Sequence, residues 1–224
     1  MKPVSWPCPL SGSAHAEEYA LTFDKRRDMR LLIVPALFDE ANRMRRFTVE
    51  VMRRLDGAGI DSVLPDLPGC NESLSPLEAQ TPSSWGAAMA LAAAHFGATH
   101  ILGIRGGALL TPEGLPVWHY APAKPGSILR QLIRSRILAS REAGVSENQD
   151  GLLETGLSQG LELSGFRLGA PFLREFQAMM PPTGATEIAQ DTIGGGALWL
   201  RAEPAEDAHQ ADALASVLTT GIKA

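Results

Sequence analysis

The stretch "HILGIRGGALL", residues 100–110, decides how this chain is read. It passes from an apolar, strand-like segment into a tight glycine-flanked turn and back into apolar residues. A turn of this outline presents one side chain at the end of a strand. In the frame Gly103, Ile104, Arg105, Gly106, Gly107 the presented residue is Arg105. A guanidinium stays protonated and offers no lone pair for attack on a carbonyl. The turn is therefore a catalytic turn without its catalyst, a site that uses arginine, or a loop.

The flanking pattern places it in a fold class. "RLLIVPALF" (30–38) is a short apolar run that suits a buried parallel strand. Met44, Phe47, Val51, Met52 and Leu55 then recur at helical spacing, and Gly57 and Gly59 supply the stop. Residues 60–69 read as a second strand and turn. "TPSSWGAAMALAAAHFG" reads as a helix capped at Thr81 or Ser83 and ended by Gly97. "THILGI" is a third strand, "LPVWHYAPA" (115–123) a fourth and "ALWLRAEP" (197–204) a fifth. Residues 142–160 read as a polar connection, 161–179 as a short strand, a turn and a helix, 181–196 as loop, and "EDAHQADALASVLTTGI" as a last helix. Strands alternating with helices predict an α/β fold, a mostly parallel sheet covered on both faces. Ligand sites in such sheets lie beyond the C-terminal strand ends. Those ends carry residues 35–40, 66–73, 105–107 and 119–123.

A length of 224 residues suits one domain with a sizeable core. A net charge of −5 argues against a nucleic-acid partner. Cys8 and Cys70 are too few for a disulfide framework and show no metal-ligand spacing, so neither a metal nor a cofactor is expected. The cysteine usage and the absence of a leader pattern in "MKPVSWPCPLSGS" point to the cytoplasm. The most hydrophobic window, 85–104, is interrupted by His95, Gly97 and His100; it reads as a helix and a buried strand, not a membrane span.

The order strand, "PDLPGCNES", helix, strand, "GIRGGA" resembles an α/β-hydrolase core, whose nucleophile sits in a Gly-x-Ser-x-Gly elbow. "DLPGCNES" resembles the Asp-x-x-Gly-x-Gly-x-Ser turn of that fold, with Cys70 and Asn71 as departures. More narrowly, "PALFDEANRMRR", "DLPGCNES", "GIRGGALL", "HYAPAKPGSILRQLIRSR" and "LELSGFRLGAPFLREF" resemble the second type of hydrolase associated with exosortase A systems. These segments span about 31–176. The resemblance implies an α/β-hydrolase-like fold with a cap-like insertion at about 124–180, here expected with a shortened C-terminal end. The shortened end is a departure from that fold, expected because too little chain follows "ALWLRAEP" for the further strand and loop that carry its histidine. The resemblance also implies a Gram-negative bacterium and a role near exopolysaccharide production and surface-protein sorting.

A serine hydrolase needs a nucleophile, a base, an orienting acid and an oxyanion hole. With arginine at the elbow, the nearby candidate nucleophiles are Cys70, Ser73 and Thr111; Ser73 is expected to brace its own turn. His119, at a strand end, and His209, in the last helix, are the candidate bases, and both also read as ordinary core or surface histidines. Glu203, Glu206 and Asp207 follow the expected fifth strand, where an orienting acid would sit. The glycine amides of Gly106 and Gly107, facing Phe38 and Asp39 across the cavity, would form an anion cradle with Arg105. A small anionic or acyl ligand is the expected occupant. Against that, Arg105 pairing with Asp39, Glu40 or Asp66 would make it a brace, the usual fate of a buried arginine.

Residues 124–141 form a basic amphipathic helix without an acidic residue. Ile128, Leu129, Leu132, Ile133 and Ile137 make its apolar face. A solvated cap helix, a protein or homodimer contact and an anionic lipid contact are all compatible with it. Two functions follow: a degenerate hydrolase-fold protein that binds a ligand or partner, or an ester or thioester hydrolase with a relocated nucleophile.

Overall fold

A computed structural model describes residues 1–9 and 17–224; residues 10–13 of the stretch read above for a leader lie outside them. The chain begins with strands β1 (Lys2–Pro7), β2 (Glu17–Phe23) and β3 (Arg30–Val34), then helix α1 (Asp39–Gly57) and strand β4 (Asp61–Pro65). Helix α2 (Pro82–His95), β5 (His100–Ile104) and β6 (Val117–Tyr120) follow. An insertion comes next: helices α3 (Pro125–Glu142) and α4 (Gln149–Gln159), hairpin strands β7 (Leu161–Leu163) and β8 (Phe166–Leu168), and α5 (Ala170–Ala178). Strand β9 (Thr186–Ile188), the short α6 (Gln190–Ile193) and α7 (Ala208–Lys223) complete the chain.

Seven strands form one sheet in the order β1-β2-β4-β3-β5-β6-β9. From β4 to β9 the neighbours are parallel, while β1–β2 and β2–β4 are antiparallel. The period of two along each strand sorts side chains between two cores. Leu31 and Ile33 of β3 join Leu102 and Ile104 of β5 under α1 and α7. Leu32, Val34 and Ile101 face the opposite core, built by α2, the elbow turn and the insertion. Helix α1 buries the apolar positions its spacing predicts and sets Asp39 and Glu40 in its first turn, where carboxylates suit the positive helix end. Helix α2 starts with a reciprocal Thr81–Ser84 capping box and Pro82 in its first turn. The apolar window 85–104 is thus divided between α2 and β5, and no described helix is long and apolar enough to cross a membrane.

Four readings need correction. The apolar runs predict a first strand at residue 30, yet β1 and β2 precede it and extend the sheet; Pro3 and Pro7 are tolerated because β1 is an edge. The polar connection 142–160 contains α4, which Asn148 caps by accepting from Gly151 N. The fifth parallel strand is β9, inside a segment read as loop: it has three residues, of which only Ile188 is buried. "ALWLRAEP" is not a strand but a 3₁₀ turn at Leu198–Leu200, whose Leu198 and Trp199 plug the core beneath α1.

One ionic clamp ties the α3 end to the chain entering α4. The Glu147 carboxylate accepts from Arg136 Nε at 2.9 Å and Nη2 at 3.0 Å, and from the Ser140 hydroxyl. The Arg136 hydrogen bonds, then that of Ser140, hold this carboxyl down to about 2, against an ordinary 4.5. A depressed carboxyl contributes stability above its unfolded value, and the contribution is lost as the pH falls from about 4.5 through about 2. Site-resolved NMR titration should therefore place the Glu147 midpoint near 2, and Arg136→Gln should return it toward the ordinary range. A wild-type midpoint close to 4.5 would show that the clamp is not formed.

Candidate functional site

The elbow stands where the sequence places it, at the C-terminal end of β5. Arg105 has φ +53°, a left-handed conformation that costs on the order of 1–3 kcal/mol and persists only where its surroundings enforce it. They do so through the side chain. Nε donates to Glu40 Oε2 at 3.0 Å and Nη2 to Oε1 at 3.1 Å, a bidentate pair. Nη1 donates to the Ala121 carbonyl at 2.6 Å. The guanidinium carbon lies 3.9 Å from the Trp199 ring centroid, within cation–π range. Both charged side chains are largely removed from solvent, at 15% and 8% exposure. Of the three acids that could have met Arg105, Glu40 does so. Asp66 instead accepts from Arg45 at 2.8 Å and Asn71 at 2.9 Å, and Asp39 stays half-buried in the first turn of α1.

The expected anion cradle is not open. The residues after Arg105 form a six-residue 3₁₀ run, Arg105–Leu110, not an α-helix, so the helix N-terminus expected beneath Gly106 and Gly107 is missing. Both glycines are buried. A Cβ on Gly107 would meet the Pro35 carbonyl oxygen at 2.2 Å, so the backbones pack too closely for any other residue. A Cβ on Gly106 would lie 2.8 Å from Ile128 Cδ1 and 2.9 Å from Leu37 Cγ. Apolar side chains thus occupy the space beside the Gly106 backbone, and the cation beside it is neutralised by Glu40.

The relocated nucleophiles are placed as follows. Ser73 Oγ accepts from Gly69 N at 2.8 Å and Ser75 N at 3.2 Å, bracing the turn after β4. Cys70 sits in that turn, its thiol pushed up to about 12 by burial first and then by Asp66 and Glu18. A thiol so raised is protonated at neutral pH and a poor nucleophile. Thr111 Oγ1 lies 3.0 Å from His119 Nε2 and also donates to the Ala108 carbonyl. Burial keeps His119 below its ordinary pKa, and both residues are buried. The pair lies away from the elbow cleft: Thr111 borders a separate cleft between α2 and α5, and its hydroxyl proton is already given to the Ala108 carbonyl. His209 is exposed at the start of α7. Glu206 pairs with Arg46 and Asp207 caps α7, so neither orients a histidine at the elbow. Among the described residues no cluster of three His, Cys, Asp or Glu side chains could hold a metal ion.

A cleft of about 350 Å³ opens beside the elbow, at the ends of β3 and β4. Phe38, Leu67, Cys70 and Leu77 line one part; Phe166 and Arg167 of the β7–β8 hairpin close the other. Phe38 is held at φ +56°, ψ −131°, and its ring meets Trp85, Phe166, Phe172 and Phe176 at centroid distances of 5.2–6.0 Å. Of the residues expected to touch a ligand, Phe38 lines this cleft; Asp39, Arg105, Gly106 and Gly107 do not. Sequence reasoning missed Phe166 and Arg167, although "LELSGFRL" carried a readable signal: Ser164 and Gly165 form a positive-φ hairpin turn.

No protein-family model matches the chain, and no curated protein matches it. Solved structures do. Est1E from Butyrivibrio proteoclasticus, with ferulic acid bound, superposes with a TM-score of 0.59 at 13% identity, over 98% of this chain and 96% of that one. Alpha/beta hydrolase domain-containing protein 10 from mouse gives 0.53 at 14% identity, over 100% and 97%. The hypothetical protein PA1622 from Pseudomonas aeruginosa PAO1 gives 0.52 at 13%, over all of both chains. At such identities the likeness is one of architecture: the chain has the α/β-hydrolase fold, with a mostly parallel sheet and helices on both faces.

Arg105→Ser tests the elbow directly, because it returns a hydroxyl to the presenting position. It also leaves Glu40 buried without its partner, a loss of about 3–5 kcal/mol. Denaturant unfolding should show that loss, and p-nitrophenyl esters should remain unhydrolysed. Turnover by a stable Arg105→Ser protein would mean that a base and an oxyanion hole are in place.

Proposed function

We propose that this protein is a hydrolase-fold binding protein with a degenerate elbow, which holds a small anionic acyl ligand, a medium-chain carboxylate, in the cleft beside β3 and β4. The observation that carries this reading is the bidentate Arg105–Glu40 pair. It puts a neutralised brace where a hydrolase of this fold presents its nucleophile. The cleft volume lies within the range of small-molecule sites, roughly 300–1,000 Å³. Its walls mix apolar residues with Asn42, Asn71 and Glu78, and Arg167 stands at the hairpin as the cation of the lining. Among the described residues that arginine pairs with Glu162 alone, at 3.3 Å, and both side chains are at least half exposed. Such surface pairs contribute roughly 0–1 kcal/mol, so exchanging Glu162 for a ligand carboxylate costs little. The resemblance of the five segments extends the proposal to an exosortase-linked system of exopolysaccharide and surface-protein biogenesis.

The alternative, an ester or thioester hydrolase with a relocated nucleophile, draws on one observation: Cys70 lines the same cleft. Its raised thiol, and the lack of a hydrogen-bonded histidine among the described residues, favour binding over turnover.

Titration with decanoate should raise the unfolding midpoint, and ligand at one hundred times its dissociation constant should stabilise by about 2.7 kcal/mol. Phe166→Asp should abolish that shift. Fluorophosphonate and thiol-directed probes should leave the protein unlabelled at a stoichiometric site. Labelling of Cys70 with parallel ester turnover would replace the binding reading by the hydrolase.

A further inference from the structure

The outer face of α3 presents a second feature, remote in role from the elbow. Arg130, Arg134, Leu138 and Arg141 follow one another at spacings of four, four and three, which aligns them along one side of the helix. All four are exposed, and Val145 continues the line past the helix end. Leu138 is 60% and Val145 53% exposed. The opposite face, with Ile128, Leu129, Leu132 and Ile133, is buried in the core. The stripe is therefore not spare apolar surface of a loosely packed helix; the packing side is already satisfied.

Its charges are also unspent. Arg136 is taken by Glu147, whereas among the described residues the hydrogen bond of Arg130 goes to the Ser127 hydroxyl. Arg130, Arg134 and Arg141 form no ion pair among the described residues. Residues 124–141 hold five cations and no anion, so a chain of net charge −5 carries a net −10 elsewhere. The acidic residues nearest in sequence that form no ion pair among the described residues are Glu142 and Asp150.

We propose that this stripe seats the protein on an anionic lipid surface, with the three arginines at phosphate headgroups and Leu138 and Val145 entering the interface. Charge complementarity selects the sign of the partner. Size selects its kind. From Arg130 to Val145 the stripe is about 22 Å long and one helix, roughly 10 Å, wide. That is about 200 Å², a quarter of the roughly 800 Å² each partner buries in a standard protein interface. No exposed aromatic anchor strengthens it, as protein hot spots usually require. A bilayer has no such threshold, since each arginine near an anionic surface adds its own attraction within a Debye length.

The test is flotation of the full chain with vesicles of phosphatidylcholine alone, or of phosphatidylcholine and phosphatidylglycerol in equal parts. The protein should favour the anionic vesicles, and the combined variant Arg130→Gln, Arg134→Gln, Arg141→Gln should lose affinity by on the order of 100-fold. High salt should release the wild type. Leu138→Asp, a single exposed change, should weaken binding while the far-ultraviolet spectrum is retained; it decides the matter if the triple variant fails to fold. Equal binding to both vesicle types, or undiminished binding by the variants, overturns the proposal. So does a concentration-dependent dimer that the triple variant abolishes, which would assign the stripe to a protein contact.

Discussion

The Arg105–Glu40 pair is the constraint on which the middle of the molecule depends. Glu40 belongs to the first turn of α1, Arg105 to the end of β5, Ala121 to the loop after β6 and Trp199 to the turn before α7. One guanidinium therefore joins four segments that are distant in sequence. Removing a single partner from such a pair leaves a charge in a site that water cannot readily reach. The positive φ of Arg105 and of Phe38, at the two ends of this junction, is strain that the junction holds in place.

The same junction explains why the elbow and the cleft have separated. In a hydrolase of this fold the presented side chain, the glycine amides and the ligand share one cavity. Here Leu37 and Ile128 fill the space beside Gly106, and the arginine turns toward Glu40 and Trp199. What stays open is the adjoining volume bounded by Phe38 and the β7–β8 hairpin. The aromatic group around Phe38 fixes one wall, while the hairpin supplies the other, with Phe166 half-buried against Phe38 and Arg167 exposed.

Much of the sheet was legible because its parallel strands are continuous apolar runs bounded by glycine and proline. The run 30–34 and the glycine-flanked turn at 103–107 identified the centre of the fold on their own. The elements that escaped are those whose signal is weak for a physical reason. Strand β9 has one buried residue and leans on β6 for register. Helix α4 buries only Leu152 and Gly156, so no apolar stripe announces it. "ALWLRAEP" looked like a strand because Leu198 and Trp199 are core residues, yet they fill a gap without pairing. At the site, sequence restricted the partner of Arg105 to Asp39, Glu40 or Asp66. Choosing among them required the direction in which α1 leaves the Phe38 turn. The occlusion of Gly106 was not readable, because Ile128 arrives from a helix more than twenty residues away.

A double-mutant cycle on Arg105 and Glu40 tests the central claim most directly. Arg105→Met and Glu40→Met should each destabilise, while the double variant should recover much of the loss, since an apolar pair replaces a buried ionic one at little cost. The coupling energy should be about 2–3 kcal/mol. Additive effects, or an Arg105→Met protein as stable as the wild type, would contradict a bracing role and return Arg105 to the cavity as a group available to ligand.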